Sequence, residues 1–350
     1  MTEEHFLIVR LGSLGDIVHA LPAVSALRSA HPQARIDWVV ERRWSPVLEG
    51  NPDIDNVVWL DTLGFRRAPL SPQTRAGFWA SLKSLRGAGY TCTIDFQGLF
   101  KSALLAAWTG AAQRIGFSEN FLREPGCAAF YTECVTPRNR AHVIAQNMTL
   151  VERLGVRSGG TEIWRFPLPQ SQAAEAYVEQ RLAEYDIREC FVVNPGGGWL
   201  GKGWPAERYG ALSDALSALY GWRCVVSYGP GEQPLVEETL QAARASSPVA
   251  FTTDIQQLIA LLRRALLFIG GDTGPLHLAA ALGTPIVGLY GPTSPERNGP
   301  FSPRDVVVSN AEACRDSRRR EPHYTPSMTS ITVDQVVEAV TQRVERVRHA

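Results

Sequence analysis

The sequence predicts an α/β protein built as two parallel-sheet domains, and three observations carry that expectation. Short β-branched or aromatic runs alternate with longer segments of helical periodicity. The alternation restarts after a Gly- and Pro-rich stretch near residues 155–172. With 350 residues, 45% of them hydrophobic, the chain has apolar material for two cores. Strands are expected at Phe6–Val9, Ile36–Val40, Val57–Leu60 and Thr93–Asp95, then at Phe191–Asn194, Cys224–Ser227, Leu267–Gly270 and Ile286–Tyr290. Helices are expected from about Gly15 to Arg28, around Ala141–Leu154, and from Pro205, Glu232 and Ile255. Such βα alternation implies parallel strands, because each helix carries the chain back to start the next strand in the same direction. The last segment, 333–350, has apolar residues at 333, 336, 337, 340 and 344, a spacing that suits a helix packing locally or one crossing back to the first domain. The expected divisions are 1–165, 166–332 and this terminal helix.

Composition narrows the class. Thirty-five Lys+Arg balance 35 Asp+Glu, so bulk charge offers no grip on nucleic acid. Six cysteines, at 92, 127, 134, 190, 224 and 314, include no CxxC pair, and they read as reduced thiols rather than a disulfide framework. Met1-Thr2-Glu3-Glu4 is acidic where a secretory signal is basic, and Phe6–Val9 is too short for its apolar core, so a cytoplasmic protein is expected. The longest uncharged stretch, between Asp272 and Glu296, is interrupted by prolines and glycines and does not read as a membrane span.

In such sheets ligands bind at the carboxyl ends of strands, so the glycine-rich turns there should carry the chemistry. The first is Leu11-Gly12-Ser13-Leu14-Gly15-Asp16. It has GxxG spacing, not the GxGxxG of a dinucleotide fingerprint. Asp16 sits just inside a helix N-terminus, where a carboxylate serves either the helix dipole or a reaction. The second turn runs from Asn194 to Pro205 through Gly196, Gly197, Gly198 and Lys202. Its glycines free backbone N–H groups for a phosphate and Lys202 adds a positive charge. Gly203 stands where a P-loop needs Ser or Thr for magnesium, which argues against that motif. The third, Gly270-Gly271-Asp272-Thr273-Gly274-Pro275-Leu276-His277, aims the N–H groups of Thr273 and Gly274 at an anion, while Asp272 can accept sugar hydroxyl protons. His277 fits a helix-start histidine as well as a ligand group. Glu232, after Gly229-Pro230-Gly231, suits ribose hydroxyls or the helix dipole.

Together, Gly12-Ser13-Leu14-Gly15-Asp16-Ile17-Val18-His19 with Leu21-Pro22-Ala23, Lys202-Gly203-Trp204-Pro205, Asp272–His277 and Tyr290-Gly291-Pro292-Thr293 resemble the ADP-heptose:lipopolysaccharide heptosyltransferases over nearly the whole chain. Asp95–Ser102, Phe65-Arg66-Arg67 and Arg123-Glu124-Pro125 look most like heptosyltransferase I. The resemblance implies a GT-B fold, two Rossmann-like domains facing across a cleft, with acceptor on the first and nucleotide-sugar on the second. It implies inverting transfer of heptose from ADP-L-glycero-β-D-manno-heptose to Kdo of the lipopolysaccharide inner core. By the same similarity Asp16 matches the catalytic base and Lys202 the diphosphate-binding lysine. Glu232 matches the ribose contact, and Ser13, Gly197, Gly198, Asp272, Thr273, Gly274 and His277 complete the donor site. One departure stands out: Gly197 and Gly198 replace the hydroxyl residues such enzymes often place before the lysine, which implies phosphate held by backbone. No cofactor and no metal are expected, since Lys202 and the helix at Gly274 supply the charge that the leaving diphosphate needs. Other readings are a heptosyltransferase acting on a later core heptose, a GT-B enzyme using another ADP- or UDP-sugar, and a nucleotide-binding module.

The acceptor so implied is an anionic Kdo-lipid A, met at the cytoplasmic face of the inner membrane. Residues 64–140 hold ten Lys+Arg against four acids. That excess suits either a solvated mixed face or an acceptor surface in which Arg66, Arg67, Lys101 and Arg123 grip acidic sugars. Residues 1–165 carry 18 basic and 15 acidic residues and residues 166–350 carry 17 and 20, so the neutral total is a sum of unlike halves. Arg318-Arg319-Arg320 reads as a loop.

Overall fold

The computed structural model describes residues 4–138, 142–157, 164–310 and 323–348. Cys314 and the Arg318–Arg320 loop lie outside them, as does part of the Gly-rich linker. The chain divides into two compact units, residues 1–169 and 170–350.

The first unit runs β1 (His5–Val9), α1 (Leu14–Ala30), β2 (Arg35–Glu41), β3 (Asn56–Leu60), α2 (Thr62–Arg67), α3 (Pro72–Gly87), β4 (Cys92–Asp95), α4 (Phe100–Trp108), β5 (Gln113–Phe117), β6 (Glu133–Val135) and α5 (Val143–Glu152). Its strands form one parallel sheet in the order β3-β2-β1-β4-β5-β6. Central strands of a sheet covered on both faces are largely apolar, and Leu7, Ile8 and Val9 have no exposed surface. Ser13 occupies the N-cap of α1 with Asp16 at N3, a capping box that starts the helix directly after β1.

The second unit opens with α6 (Gln172–Glu184) and continues β7 (Cys190–Asn194), α7 (Ala206–Tyr220), β8 (Arg223–Tyr228), α8 (Gln233–Ala242), β9 (Val249–Thr252), α9 (Ile255–Arg264), β10 (Leu267–Gly271), α10 (Gly274–Leu282), β11 (Ile286–Tyr290), α11 (Pro295–Asn298), β12 (Val306–Ser309), α12 (Pro326–Ser330) and α13 (Val333–Arg348). The sheet order, β12-β11-β10-β7-β8-β9, again all parallel, is that of the first unit when each is numbered from its own first strand. Strand order therefore reverses direction between β1 and β4 in one unit and between β7 and β10 in the other. At such a switch point neighbouring crossovers leave on opposite faces and open a crevice beyond the strand ends. The expected eight strands are present; β5, β6, β9 and β12 are additional.

Of the two placements open to the terminal helix, the structure shows packing within its own unit. α13 lies on α7, β11 and β12. Val336, Ala339 and Val340 join the core of the second sheet with Val306 and Val308. Near its end, Arg343 pairs with Asp305 at 2.9 Å, both side chains buried.

Candidate active site

The turns flanking the first switch point follow β1 and β4. Arg10, the first residue past β1, sends one guanidinium nitrogen to Asp16 Oδ1 at 2.6 Å and another to the Phe96 carbonyl. The other Asp16 oxygen accepts from the Ser13 N–H at 3.0 Å and the Ser13 hydroxyl at 2.8 Å. The carboxylate is thus fixed by both oxygens yet remains 41% exposed, while the Arg10 side chain is only 12% exposed. Leu11 N–H donates to Gln97 Oε1 at 2.8 Å, binding the same two turns again.

Behind them lies Asp95, at the end of β4 and fully buried. It accepts from the Gln97 and Gly98 N–H groups and from the Tyr131 hydroxyl at 2.7 Å. Burial pushes the Asp95 carboxyl up despite these bonds. Burial and the neighbouring Asp95 raise the Tyr131 hydroxyl as well, so the tyrosine keeps its proton and donates it. Asp95 therefore acts as a fixed peg for the Gln97 turn.

The turns at the second switch point follow β7 and β10, and they bring most of the expected donor residues together. Lys202 Nζ lies 2.8 Å from Asp272 Oδ2, and His277 Nε2 lies 3.0 Å from Asp272 Oδ1. The Asp272 side chain is 3% exposed. Burial alone would raise its carboxyl, but the hydrogen bond and charge of His277, with the charge of Lys202, outweigh it and hold the group well below the usual carboxylate range. Gly271 is obligatory here, since a Cβ on it would stand 2.8 Å from the Lys202 carbonyl. Gly197 lies against the Thr273 methyl, while the space beside Gly198 is open. Thr273 caps α10, Gly274 is its first residue, and the buried Thr273 hydroxyl has no partner.

Glu232 belongs to the same end of the sheet. It precedes α8, accepts the Gly229 N–H at 2.9 Å, and fills the space that a Cβ on Gly196 would need. Burial pushes its carboxyl up, with the Gly229 bond pulling the other way. Among the described residues no three His, Cys, Asp or Glu side chains converge as a metal would require.

The four expected acceptor residues are distributed differently. Arg66 and Arg67 close α2 and are exposed. Lys101, in the first turn of α4, and Arg123 are exposed on elements joined by a 2.7 Å bond from the Phe100 N–H to Glu124. Three residues join the picture only in the structure. Arg10 and Tyr131 are two. The third is Trp44, whose indole Nε1 is buried without a partner against Gly12. A charged residue at the end of a wholly buried strand is the signal that marks Arg10, because it needs a partner there.

A family model for glycosyltransferase family 9 (heptosyltransferase) matches residues 78–327, most of the chain. The chain belongs to that family. It is 28% identical to lipopolysaccharide heptosyltransferase 1 of Pseudomonas aeruginosa PAO1, over 92% of this chain and 88% of that protein. It is 27% identical to an Escherichia coli lipopolysaccharide heptosyltransferase 3, over 80% and 81%. The solved E. coli heptosyltransferase WaaC with ADP superposes with a TM-score of 0.75 at 24% identity, covering 97% of this chain and 99% of that one. The fold is accordingly of the GT-B type, and the enzyme is a heptosyltransferase.

Proposed function

We propose that this heptosyltransferase carries out an inverting transfer from ADP-L-glycero-β-D-manno-heptose to a Kdo hydroxyl of the lipopolysaccharide inner core. Asp16 is the general base. It takes the acceptor hydroxyl proton as the acceptor oxygen bonds to the anomeric carbon. The bond from that carbon to the diphosphate oxygen breaks on the opposite face, its electron pair leaves with ADP, and the α-linked product results. The observation that carries this reading is the state of the Asp16 carboxylate, oriented through both oxygens by Arg10 and Ser13 yet open to solvent at a switch point.

The leaving diphosphate gathers negative charge, which Lys202 and the N-terminus of α10 offset. An ammonium has three donors. Two of those on Lys202 face Asp272, which holds the lysine in place beside the glycine turn. The unpartnered Thr273 hydroxyl and the N–H groups from Gly197 to Gly198 take phosphate oxygens, Asp272 and His277 take the donor sugar, and Glu232 takes the ribose. Ser13, whose hydroxyl donates to Asp16, is assigned to the donor with them and keeps its acceptor lone pairs for it. With Lys202 and the helix terminus in these roles, the reading calls for no metal. The acceptor is an anionic Kdo-lipid A gripped by Arg66, Arg67, Lys101 and Arg123, with the enzyme peripheral on the cytoplasmic face of the inner membrane.

Similarity to heptosyltransferases of types 1 and 3 keeps a later core heptose as the second reading of the acceptor. A panel of ADP-heptose, ADP-glucose and UDP-sugars, run against Kdo-lipid A and against the same acceptor already bearing heptose, tests both halves. Turnover of ADP-heptose on Kdo-lipid A is expected. Turnover only on the heptosylated acceptor would overturn the first-heptose assignment, and turnover of another sugar nucleotide would overturn the donor.

A further inference from the structure

Six of the nine exposed large apolar side chains among the described residues, Trp59, Leu70, Trp79, Phe100, Leu104 and Trp108, fall between positions 59 and 108. Three of them form one stripe. Phe100, Leu104 and Trp108 recur every four residues along α4 and are 45%, 50% and 46% exposed, while Ala103, Leu105 and Ala106 face inward. A second stripe runs along α3, where Arg75, Trp79, Lys83 and Arg86 share an exposed face and Phe78, Leu82 and Leu85 pack into the first core. The stripes adjoin. The Trp108 indole donates to the Leu82 carbonyl at 2.9 Å, and Arg86 donates to the Trp108 carbonyl at 3.1 Å. Residues 62–108 carry six Lys or Arg and a single acid, the fully buried Asp95.

We propose that this α3–α4 face docks the enzyme on an anionic bilayer surface, with Phe100, Leu104 and Trp79 entering the headgroup boundary and Arg75, Lys83 and Arg86 meeting lipid phosphates. The charge selects the partner. Aromatic side chains interleaved with Lys and Arg, with no exposed acid between residues 62 and 108, match the polarity step and negative potential of an anionic membrane surface. A second copy of the chain would oppose like charges across a two-fold contact. No helix among the described residues is long and apolar enough to span, so the docking is superficial. This face deepens the peripheral placement proposed above, but its residues are outside the donor and acceptor sets.

The test is cosedimentation of the full chain with vesicles of phosphatidylcholine alone or with an equal part of phosphatidylglycerol, with no acceptor present. Binding is expected only to the anionic vesicles, and high salt should release it. Replacing Arg75 and Lys83 together by Gln should weaken partitioning about 25-fold, roughly fivefold for each charge. Trp79→Ser with Leu104→Ser should weaken it at unchanged charge. All these sites are exposed, and transfer to detergent-dispersed acceptor should be unchanged in every variant. That last assay separates this proposal from the acceptor reading. Equal binding to neutral vesicles, no binding by the unaltered chain, or undiminished binding by both double variants would overturn the proposal. A dimer that Leu104→Ser dissociates would overturn it too, by assigning the stripe to a second copy.

Discussion

The turn between β1 and α1 and the turn between β10 and α10 are assembled from the same parts, yet they treat their carboxylates differently. Asp16 is oriented by Arg10 and Ser13 and left 41% exposed. Asp272 is clasped between Lys202 and His277 and is 3% exposed. A carboxylate in the role proposed for Asp16, taking a proton from an incoming hydroxyl, needs room for that hydroxyl. One that fixes a lysine and a histidine needs partners and seclusion. The two turns differ less in their strand-turn-helix unit than in how deeply the acid is buried.

The largest break in the comparison should come from Asp16→Asn, which keeps the shape and an acceptor for the Ser13 cap but no base. A loss of about 10²- to 10⁴-fold in kcat is expected, with ADP-heptose binding by calorimetry unchanged. Near-normal turnover would remove Asp16 from the reaction. Lys202→Met tests the other turn. It takes one cation from a buried acid, so a stability loss of about 3 kcal/mol is expected, together with weaker ADP binding. Denaturant curves matching those of the unaltered enzyme would show that Asp272 does not depend on this lysine. Reversing Arg66 and Arg67 to Glu should raise acceptor KM about tenfold or more, in line with losing charge-assisted contacts, while donor affinity holds. The opposite pattern would move these arginines out of acceptor binding.

Subtler effects sharpen the contrast. Arg10→Lys keeps the charge but cannot reach Asp16 and the Phe96 carbonyl together, so a fall in kcat of roughly tenfold is expected from imprecise orientation. The donor KM should stay constant. The least effect concerns pH. Because the folded Asp272 carboxyl is held below its ordinary value of 3.8, its ionised form stabilises the protein above that pH, and the benefit drains away as pH falls below it. The stability gap between the unaltered enzyme and Asp272→Asn should therefore be widest near neutrality and narrow below about pH 4. A gap that widened in acid would contradict the ion-pair account.

Much of this was legible in the residues alone. Central strands such as Phe191–Asn194 are apolar on both faces, and glycines after them mark where backbone must come close to a neighbour or ligand. Three of the four strands that escaped notice have particular reasons. Gln113–Phe117 begins with two polar residues, and Glu133–Val135 is three residues long and an edge strand. Both owe their strand state to pairing with a formed sheet rather than to local preference. Val306–Ser309 has the β-branched run of a strand but no helical segment of ordinary length before it, only the short α11. Asp16, Lys202, Glu232, Asp272 and His277 stand in or just after glycine-bearing turns that spacing reveals. Arg10's bond to the Phe96 carbonyl and Tyr131's bond to Asp95 join residues 86 and 36 positions apart, which no local pattern encodes.

The strand order has a consequence for how the enzyme comes into being. In each sheet the central pair joins distant segments, Phe6 with Cys92 and Phe191 with Leu267. Contacts so remote in sequence form slowly, because a long loop must close before any pairing repays it. On the ribosome, β1 can pair with β2 first but must wait for β4, so the Arg10 tether to Phe96 forms only once the chain beyond residue 96 has emerged. The second unit repeats the delay, with β7 waiting for β10 before Lys202 can find Asp272. A nascent chain halted between β1 and β4 would carry Asp16, the proposed base, without the Gln97 turn to which Arg10 and Leu11 are tied.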